Sequence, residues 1–333
     1  MMIHNAILHI LDFDTNMCIL SKKELDFSSD VVYEYVDKRV NGLMKDPGQQ
    51  TGIFYATSAL QQWLQQLIEG NLSFTDFAAT AVKKLYDVLA PCDKNESVDF
   101  LVVDFQDDDD ARTLALILLD HKTAYTHQVL DEDGEIYNKL IKHYAILPGS
   151  SQKTEAYALI RLTDMSIRFV DKKRTCNGEE LYILPDRLLQ CTARISGRQA
   201  VKMVNKITEK VAEEHGGSSV EALSRAKSFL ADNAETSESF SPKELGHAVF
   251  ADNQAMQQEF IQEVEAAKLP DDVPVQREFA QRTGRKHKIK TDTGIEITFP
   301  SEYFDNTDYI QFINNDDGTI SIELKNIAKI ENK

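Results

Sequence analysis

"SVDFLVVDFQ" (97–106), "ARTLALILLD" (111–120) and "TAYTHQVLD" (123–131) follow one another closely in the chain. Each is rich in β-branched, aromatic and aliphatic residues, and short polar stretches separate them. That pattern predicts three strands joined by short turns. Further on, "YAILP", "EAYALIRL" and "MSIRFVD" carry the β pattern to about residue 171. The loop "PGSSQ" (148–152) interrupts it and is the expected division between two halves.

Before these strands, helices dominate. Residues 3–11 and 16–20 read as an opening hairpin. Ser28 can cap a helix whose apolar face is Val32, Tyr35, Val36, Val40 and Leu43. A second helix covers 58–69, around Trp63. A third starts at Ser73-x-x-Asp76 and ends before Pro91. Beyond the strands, residues 186–268 read as helical, with capping boxes at Ser196-x-x-Gln199, Ser218-x-x-Glu221 and Ser241-Pro242-x-Glu244. "ADNAETSESF" (231–240) is expected as a polar loop. Strands return at 286–291, 294–299, 308–313 and 319–324, with turns at Gly294 and at "NNDDG" (314–318). The fold class is therefore α+β. A mixed α/β domain covers 1–150. A C-terminal domain covers 151–333, with the helical segment 186–268 and an antiparallel β meander over 286–325.

No apolar run approaches the roughly 20 residues of a membrane helix. The opening "MMIHNAILHILDFD" lacks a basic leader and reads as a strand, not a signal peptide. Cys18, Cys92, Cys176 and Cys191 are far apart and form no CxxC, so free thiols are expected. These features together suit a cytoplasmic protein without a membrane partner.

The net charge of −17 is unevenly spread. The blocks 1–159 and 211–280 are strongly acidic, at −12 and −9. Residues 160–210 carry +5. Residues 281–333 are nearly neutral, but "QRTGRKHKIKT" (281–291) holds five cations and no carboxylate. Lys286, Lys288 and Lys290 have period 2 and so share one face of a strand. Arg282 and Arg285 precede them near a helix end, where cations complement the helix dipole. The other basic island supplies Lys172, Lys173, Arg174, Arg194 and Arg198. Because the Debye length at physiological salt is about 8 Å, a local basic patch attracts a polyanion even on an acidic protein. The acidic helical stretch 211–280 is a poor reader of the major groove for the same electrostatic reason.

Other motifs read as structure. Four consecutive aspartates at 107–110 point alternately to opposite sides of an extended chain and suit a turn better than a metal. "DEDGE" (131–135) misses the glycine and the distal glutamate of a calcium loop and reads as a turn. His121 and His127 lack a third ligand nearby. Asp317, Glu323 and Lys325 in "DDGTISIELK" match the Asp…Glu-x-Lys arrangement of magnesium-dependent nucleases, though strand alternation alone accounts for Glu323 and Lys325. No phosphate loop, dinucleotide fingerprint, nucleophile elbow or zinc-protease motif occurs, so neither a cofactor nor a resident metal is expected.

Several stretches, taken in order, resemble the bacterial 37-kDa nucleoid-associated protein family. They are "AILHILDFDTNMCILSKKELDF", "LALILLDHKTAYTHQV", "HYAILPGSSQKTEAYALI", "LLQCTARISGRQ" and "HKIKTDTGIEITFPSEYF…NDDGTISIELKNI". The resemblance spans about residues 3–330 and fits the mass of 37.7 kDa. It implies a cytoplasmic bacterial protein that accompanies the nucleoid and binds double-stranded DNA directly or through other nucleoid proteins. It supplies no active site.

The first reading is thus a non-enzymatic nucleoid-associated protein holding DNA, with little sequence preference, through Arg282, Arg285, Lys286, Lys288 and Lys290. Lys172, Lys173, Arg174, Arg194 and Arg198 extend that surface. The second is an acidic interaction protein whose faces, including 107–110 and 211–280, dock a nucleoid or DNA-processing protein and reach DNA indirectly. The third is the nuclease. A homodimer is the general expectation for such a chain.

Overall fold

The computed structural model describes residues 1–93, 96–300, 303, 307–315 and 319–329, without the side chains at 285–287, 314 and 320. The chain divides into two compact units, Met1–Arg194 and Ile195–Lys333. The loop at 148–152, expected to part the halves, lies inside the first unit. Its carbonyls there bind a buried arginine of the first helix.

The first unit is built on an antiparallel sheet. Its elements are β1 (Met2–Asp12), β2 (Met17–Ile19), α1 (Asp30–Met44), β3 (Gln50–Gly52), α2 (Ala59–Ile68), α3 (Phe74–Leu89), β4 (Val98–Gln106), β5 (Arg112–Asp120), β6 (Lys122–Glu132), β7 (Glu135–Ile146), β8 (Ala156–Arg161), β9 (Ile167–Val170), β10 (Lys173–Cys176) and β11 (Glu179–Tyr182). Seven strands run in the order β2-β1-β4-β5-β8-β9-β3. Alternation sorts their side chains between two cores. Phe100, Val102, Leu114, Leu116, Ala158 and Ile160 meet α2 and α3 on one face. Leu101, Val103, Ala115, Ile117, Tyr157 and Leu159 meet α1 on the other. Both faces being covered, β4 and β5 read as nearly unbroken apolar runs.

The third expected strand is displaced from that group. Among the described residues β6 pairs only with β7, as a separate two-stranded hairpin, and β5 pairs instead with β8. The thiols also depart from expectation. Cys92, just past α3, and Cys176 on β10 form a disulfide across an isolated β-bridge, with Cα atoms 3.8 Å apart. Cys18 and Cys191 are free, and burial pushes the Cys191 thiol up to about 12.

The second unit contains α4 (Gly197–Glu214), α5 (Ser219–Thr236), β12 (Ser239–Phe240), α6 (Pro242–Val249), α7 (Gln254–Ala266), β13 (Val273–Pro274), α8 (Arg277–Arg285), β14 (Lys286–Lys290), β15 (Glu296–Pro300), β16 (Ile310–Asn314) and β17 (Ile320–Leu324). Ser196, Ser218 and Ser241 each accept the amide three residues on, and Gln199 completes the reciprocal box at Ser196. The expected loop at 231–240 begins late: α5 continues to Thr236 because Leu230 and Ala234 are buried in the helical core. The C-terminal strands form two separate hairpins, β14–β15 and β16–β17, which pack their apolar faces together through Phe299, Ile310, Phe312 and Ile322.

Candidate nucleic-acid interface

α8 sets the direction of the basic stretch. Ala280 is buried and Phe279 packs on the helical core, so the opposite side of the helix faces water. Gly284 lets α8 approach α5 closely. A Cβ there would stand 2.4 Å from the Ala231 Cβ and 2.8 Å from the Lys227 carbonyl oxygen. β14 begins at the very next position after α8, so the placement of the helix fixes the strand that follows.

The β14–β15 register is Lys286↔Pro300, His287↔Phe299, Lys288↔Thr298, Ile289↔Ile297 and Lys290↔Glu296. Ile289, Ile297 and Phe299 lie on the face that packs against β16–β17 and Val220. The three lysine positions therefore lie on the other face, as their period of 2 anticipates. Arg282, Lys288 and Lys290 are exposed. Lys288 Nζ is 2.6 Å from a Glu296 carboxylate oxygen, so a phosphate reaching it competes with that partner. The backbones of Arg285 and Lys286 close α8 and open β14, while their side chains lie outside the described residues.

The other island differs in kind. Lys172 Nζ lies 3.2 Å from Asp120 and 3.5 Å from Glu155. Lys173 pairs with Glu180 at 3.0 Å. The Arg174 guanidinium is largely buried and donates to Asp171 at 2.8 Å. Burial pushes the Asp171 carboxyl up, opposed by Arg174 and by the backbone amides of Leu184 and Lys172. These cations line a cleft of about 410 Å³ together with Asp93, Glu96 and Asp120, and the mixed lining leaves little net positive field. Arg194 is exposed at the end of the first unit, its amide donating to the Thr51 carbonyl. Arg198, exposed in the first turn of α4, belongs to the second unit. Lys202 and Lys206 continue from it at four-residue spacing on the exposed side of that helix. The helical period of this row is visible in the sequence, but a charge count over the whole island hides it.

The remaining candidates are built as follows. Asp107 is buried and accepts the amides of Asp109 and Ala111, closing the β4–β5 turn, while Asp108 pairs with the terminal amine at 2.9 Å. Asp133 and Gly134 take positive φ, and Asp131 accepts the Gly134 amide, so "DEDGE" is a hairpin turn. His121 bonds Asp99 at 3.0 Å, and burial pushes that carboxyl up. His127 is exposed on β6. Lys325 lies 3.7 Å from Glu323 on the open β16–β17 hairpin, where it also bonds Gln311. Asp317 lies outside the described residues. Among the described residues no three His, Cys, Asp or Glu side chains converge as a metal site, and no helix is long and apolar enough to cross a membrane.

No curated protein matches the chain. A family model described as nucleoid-associated protein YejK matches residues 7–331, through both compact units and from the first sheet strand to beyond the last hairpin. The chain belongs to that nucleoid-associated protein family.

Proposed function

We propose that the chain is a non-enzymatic, cytoplasmic nucleoid-associated protein that binds duplex DNA directly. Its contact surface is the outer face of β14 with the adjoining end of α8. The observation that carries this reading is the division of β14 into two faces. Ile289 packs into the small core between the hairpins, and the lysine positions lie opposite it. A strand needs alternation to pack, but packing does not require lysine at every outer position. Arg282 and Arg285 extend the row back onto α8. Arg198, Lys202 and Lys206 on α4 add a second exposed row. Lys172, Lys173 and Arg174 contribute less, because Asp93, Glu96 and Asp120 line the same cleft, whereas Lys288 exchanges its partner Glu296 for a phosphate on an open strand face.

Phosphate contacts of this kind position a duplex without reading its sequence. The acidic remainder of the surface repels DNA and confines contact to the basic rows. If about three to five phosphates are neutralised, log K for a fluorescent duplex falls with log salt at a slope of roughly −3 to −4.5. Anisotropy across a salt series measures that slope. Binding that ignores salt, or no binding at low salt, refutes direct contact and leaves DNA to be reached through a protein partner.

A further inference from the structure

The β6–β7 hairpin extends from the first unit as an arm with no buried residue along either strand. At roughly 3.3 Å per residue it is about 36 Å long. Among the described residues neither of its edges has a neighbouring strand, since β6 and β7 pair only with each other. Exposed edges of this length are normally blunted or paired.

Its two faces are unlike. The register sets Tyr125 opposite Lys142, His127 opposite Leu140, Val129 opposite Asn138 and Asp131 opposite Ile136. These pairs share one face, and Tyr144 joins them, with the Lys142 ammonium lying over both the Tyr144 and Tyr125 rings at 4.6 and 5.9 Å. On that face Tyr125, Val129, Ile136, Leu140 and Tyr144 are between 61% and 73% exposed. At about 150–250 Å² for a large side chain, they present roughly 600 Å² of apolar surface. That is the upper end of what a monomeric surface normally leaves in contact with water.

The apolar face is polarised in charge as well. Asp131 lies towards its tip and Lys142 towards its body end. Lys122, Glu132, Glu135 and Lys139 lie on the opposite face.

We propose that the apolar face of this arm is a self-association surface, occupied by the arm of a second copy of this chain in antiparallel, two-fold apposition. Three observations select that occupant. A two-fold axis through the middle of the arm brings Asp131 of one copy towards Lys142 of the other, the two opposite charges that this face carries. A parallel arrangement would set like charges together. The same axis brings Val129 and Leu140 of both copies to the centre, beside His127 and Asn138, where the face carries no lysine or carboxylate. Finally, two such faces cover about 1,200 Å², the lower edge of stable specific interfaces. A patch that is complementary to itself under a two-fold rotation is the commonest basis of homodimers.

Sedimentation velocity on the full chain tests this. Wild type is expected to be dimeric at about 50 µM, within the affinity range that interfaces of this size reach. The double variant V129E/L140E places carboxylates at the centre and is expected to be monomeric there, with its Trp63 fluorescence unfolding unchanged because both sites are exposed. K142E faces Asp131 of the second copy with a like charge and is expected to weaken dimerisation at least about tenfold. A monomeric wild type at this concentration overturns the proposal. So does a V129E/L140E variant as dimeric as wild type. An unaltered K142E dimer overturns the antiparallel pairing.

Discussion

Arg39 is predicted to hold the first unit together from a position that looks superficial in sequence. It lies on the buried face of α1 with Val36, Val40 and Leu43 and is 1% exposed. Its guanidinium donates to the carbonyls of Gln152, Pro148 and Gly149 at 2.6, 2.7 and 2.7 Å, to Thr154 Oγ1 at 3.1 Å and to the Tyr35 hydroxyl at 3.3 Å. Replacing it with methionine keeps bulk and removes every donor. Gln152 and Gly149 are exposed, so their carbonyls recover water. The buried Pro148 carbonyl keeps the Tyr35 hydroxyl as donor at 2.9 Å. Thr154 Oγ1 is buried and loses its donor, so the net loss is about 1–3 kcal/mol. With a urea slope of about 2 kcal/mol/M, the midpoint falls by about 0.5–1.5 M. Trp63, the single tryptophan, packs beside the core of this unit and reports its unfolding. Hydrogen exchange at the Gln152 amide, which bonds the Gly149 carbonyl, reports the loop itself. A midpoint moved by less than about 0.3 M, with that amide still protected, refutes the reasoning.

Three further outcomes follow from single sites. His9 is fully buried, with Nδ1 accepting the Ser21 amide, and burial holds its imidazolium below the usual range. The unfolded chain takes up a proton below about pH 6.5 that the fold resists, so stability present above that pH is lost as pH falls towards the depressed folded value. His9→Phe should flatten this limb of a pH series of urea midpoints, and an unchanged limb contradicts it. The Cys92–Cys176 bridge closes a loop with a sequence separation of 84. Thiol titration in denaturant without reductant should find two free cysteines, rising to four after reduction. Reduction should cost the first unit up to about 4–5 kcal/mol in the chain-entropy account. Four thiols before reduction contradict the bridge. Gly284→Ala drives a methyl into Ala231 and the Lys227 carbonyl, costing about 1–3 kcal/mol. It shifts α8 without altering charge, so DNA affinity should drop several-fold, and full retention would uncouple α8 from the contact surface.

Local signals are enough for much of this architecture. Serine at Ser196, Ser218 and Ser241 followed by an acid or amide three positions on marks three helix starts, since capping is settled within one turn. The lysine row is legible because a strand has period 2 whatever it pairs with. Pairing itself is not. β6 has the composition of a sheet strand and pairs locally with β7, and it is the distant pairing of β5 with β8 that leaves this hairpin outside the sheet as an arm. The same limit hides the state of the second basic island. A window over 160–210 counts Lys172 as free charge, whereas its carboxylate partners Asp120 and Glu155 sit in the acidic block before it. Arg39 reads as an ordinary polar position on an amphipathic helix, because all its acceptors except Tyr35 lie more than a hundred residues away. Cys92 and Cys176 look unrelated for the same reason.

The most direct test of the account is DNA binding by a variant with Arg282, Arg285, Lys286, Lys288 and Lys290 all changed to glutamine, compared with wild type by duplex anisotropy across a salt series. Each phosphate that the variant leaves without a cation should make the salt slope shallower by about 0.9. The account predicts that the variant, with far-ultraviolet circular dichroism and amide exchange of α4 and α5 as in wild type, loses affinity at low salt and shows a markedly shallower slope. Equal affinity with an equal slope would contradict it and move the contact surface away from β14.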